Sequence, residues 1–497
     1  MRKEFYIAFF AVIVLNLIFL WVWTPGLYSL CFFVPFFMLG FRDIRQKRHA
    51  IKANFPVFGH LRYLFESIRP EINQYFIESN TDGKPFSREQ RSVVYQRAKK
   101  VLDTVPFGTQ HNVYEQGYEF VTHSMYPAHL DRKDLRVTVG SDLCKQPYSL
   151  SLLNISAMSF GSLSPNAILS LNGGAKDGNF AHNTGEGGIS PYHLEPGGDL
   201  IWQIGTGYFG CRTHDGDFDP ELFRKNASHP QVKMIELKLS QGAKPGHGGI
   251  LSGKKVTQEI ADIRNVPLGK DVISPPAHKA FKDAHGMLMF IQQLRDLSGG
   301  KPVGIKMCLG HRQEFEELVN LMVKEKSYPD FIVVDGAEGG TGAAPLEFTN
   351  YIGTPGFDAL VVIVDCLRKA GLKDKIKVIA TGKITTAFDI VKLLCIGADA
   401  TYAARSMMLA LGCIQALRCN NNKCPAGVAT QDKNLFDGLH VPTKRTRVKN
   451  FHQETLEAVA HVVGAMGVAK VGDLQRHHLH KRVEQNRIMT YAEIYPN

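Results

Sequence analysis

Phe331-Ile332-Val333-Val334-Asp335-Gly336-Ala337-Glu338-Gly339-Gly340-Thr341-Gly342 is a short apolar run that stops in a polar, glycine-dense loop, and Gly356 to Ala370 after it carries apolar residues at three- and four-residue spacing. A run apolar on both faces suits a parallel strand covered on two sides, and the spacing is that of a helix laid on a sheet. The same unit recurs along the chain. Runs at Leu152 to Met158, Phe180 to Asn183, Met234 to Leu239, Val272 to Ser274, Val303 to Met307, Val378 to Ala380 and Ala400 to Ala404 bring the candidate strands to eight, and Ala387 to Ile396 is a second clear helical period. Eight β-then-α units over roughly 260 residues match a closed (β/α)8 TIM barrel in number and length. An open doubly wound sheet is the competing architecture. Polar and glycine-rich signals after nearly every strand favour the barrel, because barrel enzymes build their site there.

Outward from this region the chain changes character. With 497 residues, 44% hydrophobic and 21% charged, it is neither disordered nor a polytopic transporter. Phe5 to Trp23 is uncharged with one polar residue, Asn16, and is about as long as a membrane-crossing helix. Leu27 to Phe41, with Pro35, is a second apolar stretch, so a membrane hairpin is expected over 1–45. Arg2 and Lys3 before it, and Arg42, Arg45, Lys47, Arg48 and Lys52 after it, place both ends and the catalytic domain in the cytoplasm by the positive-inside rule. A cleaved signal peptide, with a poor cleavage site, and a buried core helix are the alternatives. Residues 46–135 read as a packing or docking region, with a capping box at Ser87-Arg88-Glu89-Gln90. The barrel is expected over 136–432 and a basic helical extension over 433–497, in which Arg476 to Lys481 reads as a solvated helix face. The excess of 58 Lys and Arg over 47 Asp and Glu suits a lipid face or anionic ligands; no nucleic-acid partner is expected.

The strand ends carry the chemistry. Ser156-Ala157-Met158-Ser159 follows the first strand and Asn183-Thr184-Gly185-Glu186-Gly187-Gly188 the second, where glycines keep the backbone bare around one carboxylate. A surface Glu in a glycine-rich turn is an equal reading of that segment alone. Lys238-Leu239-Ser240-Gln241-Gly242-Ala243-Lys244-Pro245-Gly246-His247 follows another strand as a loop whose two lysines suit carboxylate or phosphate, and Arg264 adds a potential bidentate clamp. Lys306 lies inside an apolar strand; an outward-facing strand end is the alternative, and in a barrel interior it needs an anionic or electron-rich partner. Gly339, Gly340 and Thr341, then Thr381-Gly382-Lys383, then Ala404 and Arg405 close the last three strands, where barrels commonly hold phosphate. Gly205-Thr206-Gly207-Tyr208-Phe209-Gly210 has GxGxxG spacing but opens no apolar helix, so it is set aside as a dinucleotide motif. Of nine cysteines, Cys211, Cys308, Cys366 and Cys395 read as core thiols. Cys413, Cys419 and Cys424 followed by Pro425 fit iron–sulfur ligation better than zinc, with free thiols as the alternative.

These motifs together, with Ile273-Ser274-Pro275-Pro276, Gly339-Gly340-Thr341-Gly342-Ala343 and Cys-Pro-Ala-Gly-Val-Ala-Thr-Gln ending at Gln431, resemble the FMN-binding synthase domain of glutamate synthase, in order over about residues 150 to 432. The resemblance implies an FMN barrel in which a 3Fe-4S cluster on Cys413, Cys419 and Cys424 passes electrons to flavin, and reduced flavin converts the imine of 2-oxoglutarate and ammonia to L-glutamate. By the same resemblance Glu186 stands at the reacting carbon, Lys306 lies by the flavin ring, and Lys244, Arg264 and Gln241 hold the 2-oxo acid. Ala157, Met158, Ser159, Gln203, Gly339, Gly340, Thr341, Gly382, Lys383, Ala404 and Arg405 hold FMN. His247 and Ile250 replace the acid and amide usual in the substrate loop, Ala-His-Lys-Ala-Phe-Lys-Asp replaces the usual His-His-Asp, and Thr381-Gly382-Lys383 replaces Asp-Gly-Gly. The chain reads as lacking a glutaminase domain, so ammonia, an amine or a separate amidotransferase chain supplies nitrogen and a separate donor supplies electrons. Another FMN barrel such as a 2-hydroxy acid oxidase, and a catalytically inactive membrane scaffold, are the rival readings.

Overall fold

A computed structural model describes residues 1–101 and 103–496, which divide into two compact units, Met1–Gly83 and Lys84–Asn497. In the first, helix Arg2–Val22 and helix Leu30–Arg45 run antiparallel across a tight turn, Thr24–Ser29. Arg2–Val22 and the stretch Thr24–Arg45, turn included, are each long and apolar enough to cross a membrane. Asn16, the one polar residue of the run Phe5 to Trp23, closes the turn: its Nδ2 donates to Val12 O at 2.9 Å and its Oδ1 accepts from Ser29 Oγ at 3.0 Å. Gly40 lets the arms meet, since a Cβ there would stand 2.2 Å from the Phe5 ring. Helices Ala50–Asn54 and Gly59–Ile72 and a turn Asn73–Ile77 complete the unit.

The second unit is built on eight parallel strands: β1 Leu153–Ile155, β2 His182–Asn183, β3 Leu200–Ile204, β4 Val232–Lys238, β5 Val303–Cys308, β6 Phe331–Asp335, β7 Lys377–Thr381 and β8 Ala400–Ala403. They pair in chain order, and β8 closes on β1 with Thr401 opposite Leu153 and Ala403 opposite Ile155. Successive residues face opposite ways along each strand. Ile201, Met234, Phe331, Val333, Ile379, Ala400 and Tyr402 fill the inside as one buried cluster, and the antiparallel pair Arg136–Val139 and Tyr148–Ser151 adds Val139 and Leu150 to it. The alternate residues face the outer helices, as where Trp202 stacks on Phe223 at 5.1 Å.

The barrel is therefore as read, with one strand exchanged. Val272–Ile273 is a two-residue strand paired antiparallel with Ile250–Leu251 outside the barrel, and the true third strand is Leu200–Ile204, all five residues buried. The expected number was reached because one false strand replaced one missed strand. The run Val272-Ile273-Ser274 is too short and too exposed to span a barrel wall; Ile273 is 67% exposed. Helices Gly356–Lys369 and Ala387–Ile396 lie where the periodicity places them, and the capping box at Ser87 opens helix Arg88–Lys99. The C-terminal segment holds a long helix, Val441–Ala465, laid on helix Pro165–Gly178 and on Arg88–Lys99. Arg476 to Lys481 is not a solvated helix face: one turn at Arg476–His478 leads into strand Leu479–Glu484, which pairs with Glu119–Val121 and Arg487–Thr490. Arg476 is buried against Asp365 rather than displayed to solvent.

Candidate active site

The C-terminal ends of the strands surround a cavity of about 500 Å³, within the usual range of ligand pockets. On one side stands Glu186, in the loop after β2. Lys238, the last residue of β4, donates to Glu186 Oε2 at 2.9 Å and also to Gln241 Oε1. Burial by itself would raise the Glu186 carboxyl, but Lys238, Lys244 and Arg264 outweigh it and hold the group below its ordinary value. Lys244 is buried with Nζ on Ala343 O at 2.8 Å, and burial brings it down to about 8, with Glu186 opposing the fall. Arg264, buried and brought by burial to about 10, has its guanidinium 5.1 Å from the centre of the Phe209 ring. Its Nη2 donates to Phe160 O at 2.8 Å and its Nε has no hydrogen-bond partner. Three cations thus face one carboxylate.

The glycines that touch the Glu186 carboxylate come from other loops than its own. A Cβ on Gly249 would lie 2.2 Å from Oε1, and one on Gly205 2.8 Å from Oε2. Gly205 opens the GxGxxG-spaced segment after β3, so that segment serves the site as a close-approach turn and not as a dinucleotide loop. Tyr208 of the same segment donates to His278 Nδ1 at 3.1 Å, and His278 Nε2 donates to Lys238 O at 2.8 Å. Burial keeps this imidazole near 4 and therefore neutral. His247 sets its ring edge-on to Phe348 at 5.3 Å, and Ile250 sits in the short hairpin with Ile273.

Inside the barrel mouth Lys306 Nζ lies 3.7 Å from Asp335 Oδ2, and Asp335 also accepts from Gly242 N at 3.0 Å and Thr381 Oγ1 at 2.7 Å. Burial would raise Asp335; Lys306 leads the groups that hold it low. Gln203 donates to Glu236 Oε1 at 2.6 Å, and burial raises the Glu236 carboxyl, partly offset by Lys306. Ala157, Met158, Ser159, Gln203, Lys306, Gly339, Gly340, Thr341, Gly382, Ala404 and Arg405 all line the cavity, as do Glu186 and Gln241. Lys244 and Arg264, both buried, and the exposed Lys383 are not part of that lining. Lys383 is exposed, and partial desolvation with the neighbouring Arg405 lowers its pKa, a pair of cations suited to a phosphate. The Tyr402 hydroxyl, at the cavity wall, is buried without a hydrogen-bond partner. A polar planar ring with a phosphate tail, as in FMN, fits this combination of wall, orphaned hydroxyl and paired cations.

Cys413, Cys419 and Cys424 line the far side of the same cavity. Burial pushes the Cys413 thiol up to about 12, with Cys419 and Cys424 adding to the shift. Gln415 fixes their loop by accepting from Phe86 N at 3.1 Å and donating to Phe86 O at 3.2 Å, and Tyr95 donates to Cys413 O at 2.6 Å. Among the described residues no group of three or more His, Cys, Asp or Glu is gathered as a ready metal site; three soft donors on one wall are nonetheless the donor type an iron–sulfur cluster takes. Lys255, buried, lies beside Cys419 and Cys424 and gives its Nζ to Ser162 O at 2.9 Å. That contact belongs to a shared turn. Phe160 O accepts from Arg264, Ser162 O from Lys255, and Gly161 O and Leu163 O from Gln431 Nε2 at 3.1 and 2.7 Å.

Asp335 was not singled out from sequence as a site residue; Lys238, read there only as one of two loop lysines suited to carboxylate or phosphate, is the last residue of β4, and its carboxylate is Glu186. A family model described as a conserved region in glutamate synthase matches residues 108–469. The chain is 36% identical over 497 residues to a glutamate synthase large subunit-like protein, YerD, of Bacillus subtilis (strain 168), covering 92% of this chain and 94% of that protein. It is 33% identical over 320 residues to the archaeal-type glutamate synthase [NADPH] of Thermotoga maritima, covering 64% of this chain and 60% of that protein's length. Among solved structures, a flavocytochrome b2 superposes with a TM-score of 0.45 at 14% identity, over 88% of this chain and 91% of that one. The chain belongs to the glutamate synthase family of flavin-dependent oxidoreductases.

Proposed function

We propose that the protein makes an amino acid by reducing the imine of a 2-oxo dicarboxylate, with 2-oxoglutarate and ammonia giving L-glutamate. The observation that carries this reading is the set of three cations, Lys238, Lys244 and Arg264, around the single carboxylate of Glu186. The surplus positive charge suits a dianionic substrate, and the remaining carboxylate suits proton transfer at nitrogen.

In the reaction ammonia adds to the keto carbon, water leaves, and a hydride and a proton then saturate the C=N bond. When bound, FMN supplies the hydride and a three-cysteine cluster supplies electrons singly. Arg264 and Lys244 hold the substrate carboxylates. Lys238 keeps Glu186 ionised and aimed, and Glu186 takes a proton from the incoming nitrogen at an Oε atom. Lys244, near 8, is the cation whose proton exchanges most readily near neutral pH and can return one to the amine. Gln203, Lys306 and Tyr402 orient the ring, Lys383 and Arg405 hold the phosphate, and Cys413, Cys419 and Cys424 ligate the 3Fe-4S cluster. With Ile250 where the family has an amide, the substrate is gripped by charge more than by neutral hydrogen bonds. The helical pair Arg2–Val22 and Leu30–Arg45 tethers the barrel to the cytoplasmic face of a membrane, with basic residues flanking both ends. A separate donor brings electrons, and free ammonia, an amine or an amidotransferase chain brings nitrogen.

The test is anaerobic photoreduction of the purified yellow protein followed by mixing with 2-oxoglutarate and ammonium. Flavin reoxidation with matching glutamate is expected; a flavin left reduced overturns the reading. Reduction of the oxidised protein by lactate or glycolate would instead place it with 2-hydroxy acid oxidases.

A further inference from the structure

Helix Gly59–Ile72 presents an apolar row to the outside: Leu61, Leu64, Phe65 and Ile68 are 48%, 52%, 59% and 38% exposed. Their spacing puts them on one face, and Tyr75 and Phe76 extend it into the following turn at 57% and 84% exposure. The opposite face is charged, with Arg62 and Glu66 paired at 3.0 Å. A contiguous row of this size on a soluble surface marks a binding face.

The start of the helix is fixed to the charged end of the hairpin. Asp43, buried near the end of helix Leu30–Arg45, accepts from Val57 N at 3.0 Å and from His60 Nε2 at 2.9 and 3.0 Å. The Phe36 and Phe58 rings meet at 6.2 Å, and Arg2 Nε donates to Ala53 O at 2.6 Å. The apolar row therefore begins where both hairpin arms end, among Arg2, Lys3, Arg42, Arg45, Lys47, Arg48 and Lys52. Basic residues beside an amphipathic helix match anionic headgroups, and the row continues the apolar surface of the hairpin.

We infer that residues 58–77 form an interfacial segment seated in the headgroup region of an anionic bilayer, so that the protein is held by the hairpin and by this helix together. The inference rests on the membrane reading of the hairpin. To test it, the full chain is reconstituted in vesicles of phosphatidylcholine and phosphatidylglycerol with the photocrosslinking residue p-benzoylphenylalanine in place of Leu64, of Glu66 on the charged face, or of Ile13 in the hairpin, flavin content serving as the check on folding. Lipid adducts at Leu64 and Ile13, many-fold above those at Glu66, are expected. Lipid at Ile13 with protein adducts or none at Leu64, or equal lipid adducts at Leu64 and Glu66, overturns the interfacial helix and leaves the hairpin standing. Absence of lipid adducts at all three positions overturns both.

Discussion

Burial brings Lys244 to about 8, so the side chain assigned to a substrate carboxylate is charged at neutral pH and discharged in mildly alkaline solution. A lysine contributes as a cation only below its pKa, so kcat/KM for the 2-oxo acid is expected to fall as pH rises through about 8, a limb set by the free enzyme. In Lys244→Ala that limb disappears and KM rises about 10- to 100-fold, the worth of a hydrogen bond to a charged group, while flavin content stays unchanged. Lys255 stands beside Cys419 and Cys424, where a positive charge favours the electron-rich state of a bound cluster. Lys255→Met should lower the reduction potential of the proposed iron–sulfur centre in a potentiometric titration followed by electron paramagnetic resonance; an unmoved potential removes Lys255 from that role. At this scale the sequence showed what was chemically unusual. A carboxylate among glycines, a lysine inside an apolar strand and three cysteines before a proline are all rare out of context. Lys238 was legible as a cation for a carboxylate or phosphate, but its partner Glu186 was not, because the two lie 52 residues apart and meet only when the strands close into a barrel.

Element boundaries were legible where the pattern was long. Helices of ten or more residues, such as Gly356–Lys369 and Ala387–Ile396, repeat their apolar spacing several times and fix themselves. Strands of two to five residues offer one or two alternations only, so the exposed Val272–Ile273 passed as a wall strand and Leu200–Ile204 was hidden beside a glycine-rich motif. The outer face of that third strand gives a direct check. Trp202 is fully buried and stacked on Phe223 of helix Pro220–Ala227. Trp202→Ala is expected to cost about 3–5 kcal/mol of stability in chemical denaturation, whereas an equivalent Ile273→Ala should change it by less than about 0.5 kcal/mol.

Across the whole molecule, chemistry and mechanical support occupy opposite ends of the barrel. Far from the cavity, Arg295 and Asp330 form a pair that is 1% and 0% exposed. Asp330 also accepts from Val303 N at 2.8 Å and from Ser141 N and Oγ at 2.7 and 2.6 Å, joining the starts of β5 and β6 to the segment before the barrel. Arg295→Met leaves that carboxylate buried without its cation and is expected to remove about 3–5 kcal/mol of stability, read as a lower denaturation midpoint, with KM for the 2-oxo acid unchanged in the protein that remains folded. This separation follows from strand direction and could be anticipated once a parallel barrel was inferred. The C-terminal strand returning to Glu119–Val121 could not, because its six residues carry mixed polarity and their partner lies at the far end of the domain in sequence, Val121 opposite Leu479.

The four carbonyls from Phe160 to Leu163 are divided among Arg264, Lys255 and Gln431. Anyone grafting the cysteine loop of a relative onto this scaffold must therefore transplant Gln431 with it, since exchanging one tenant of that turn loosens the footing of Arg264, the arginine proposed to meet the 2-oxo acid.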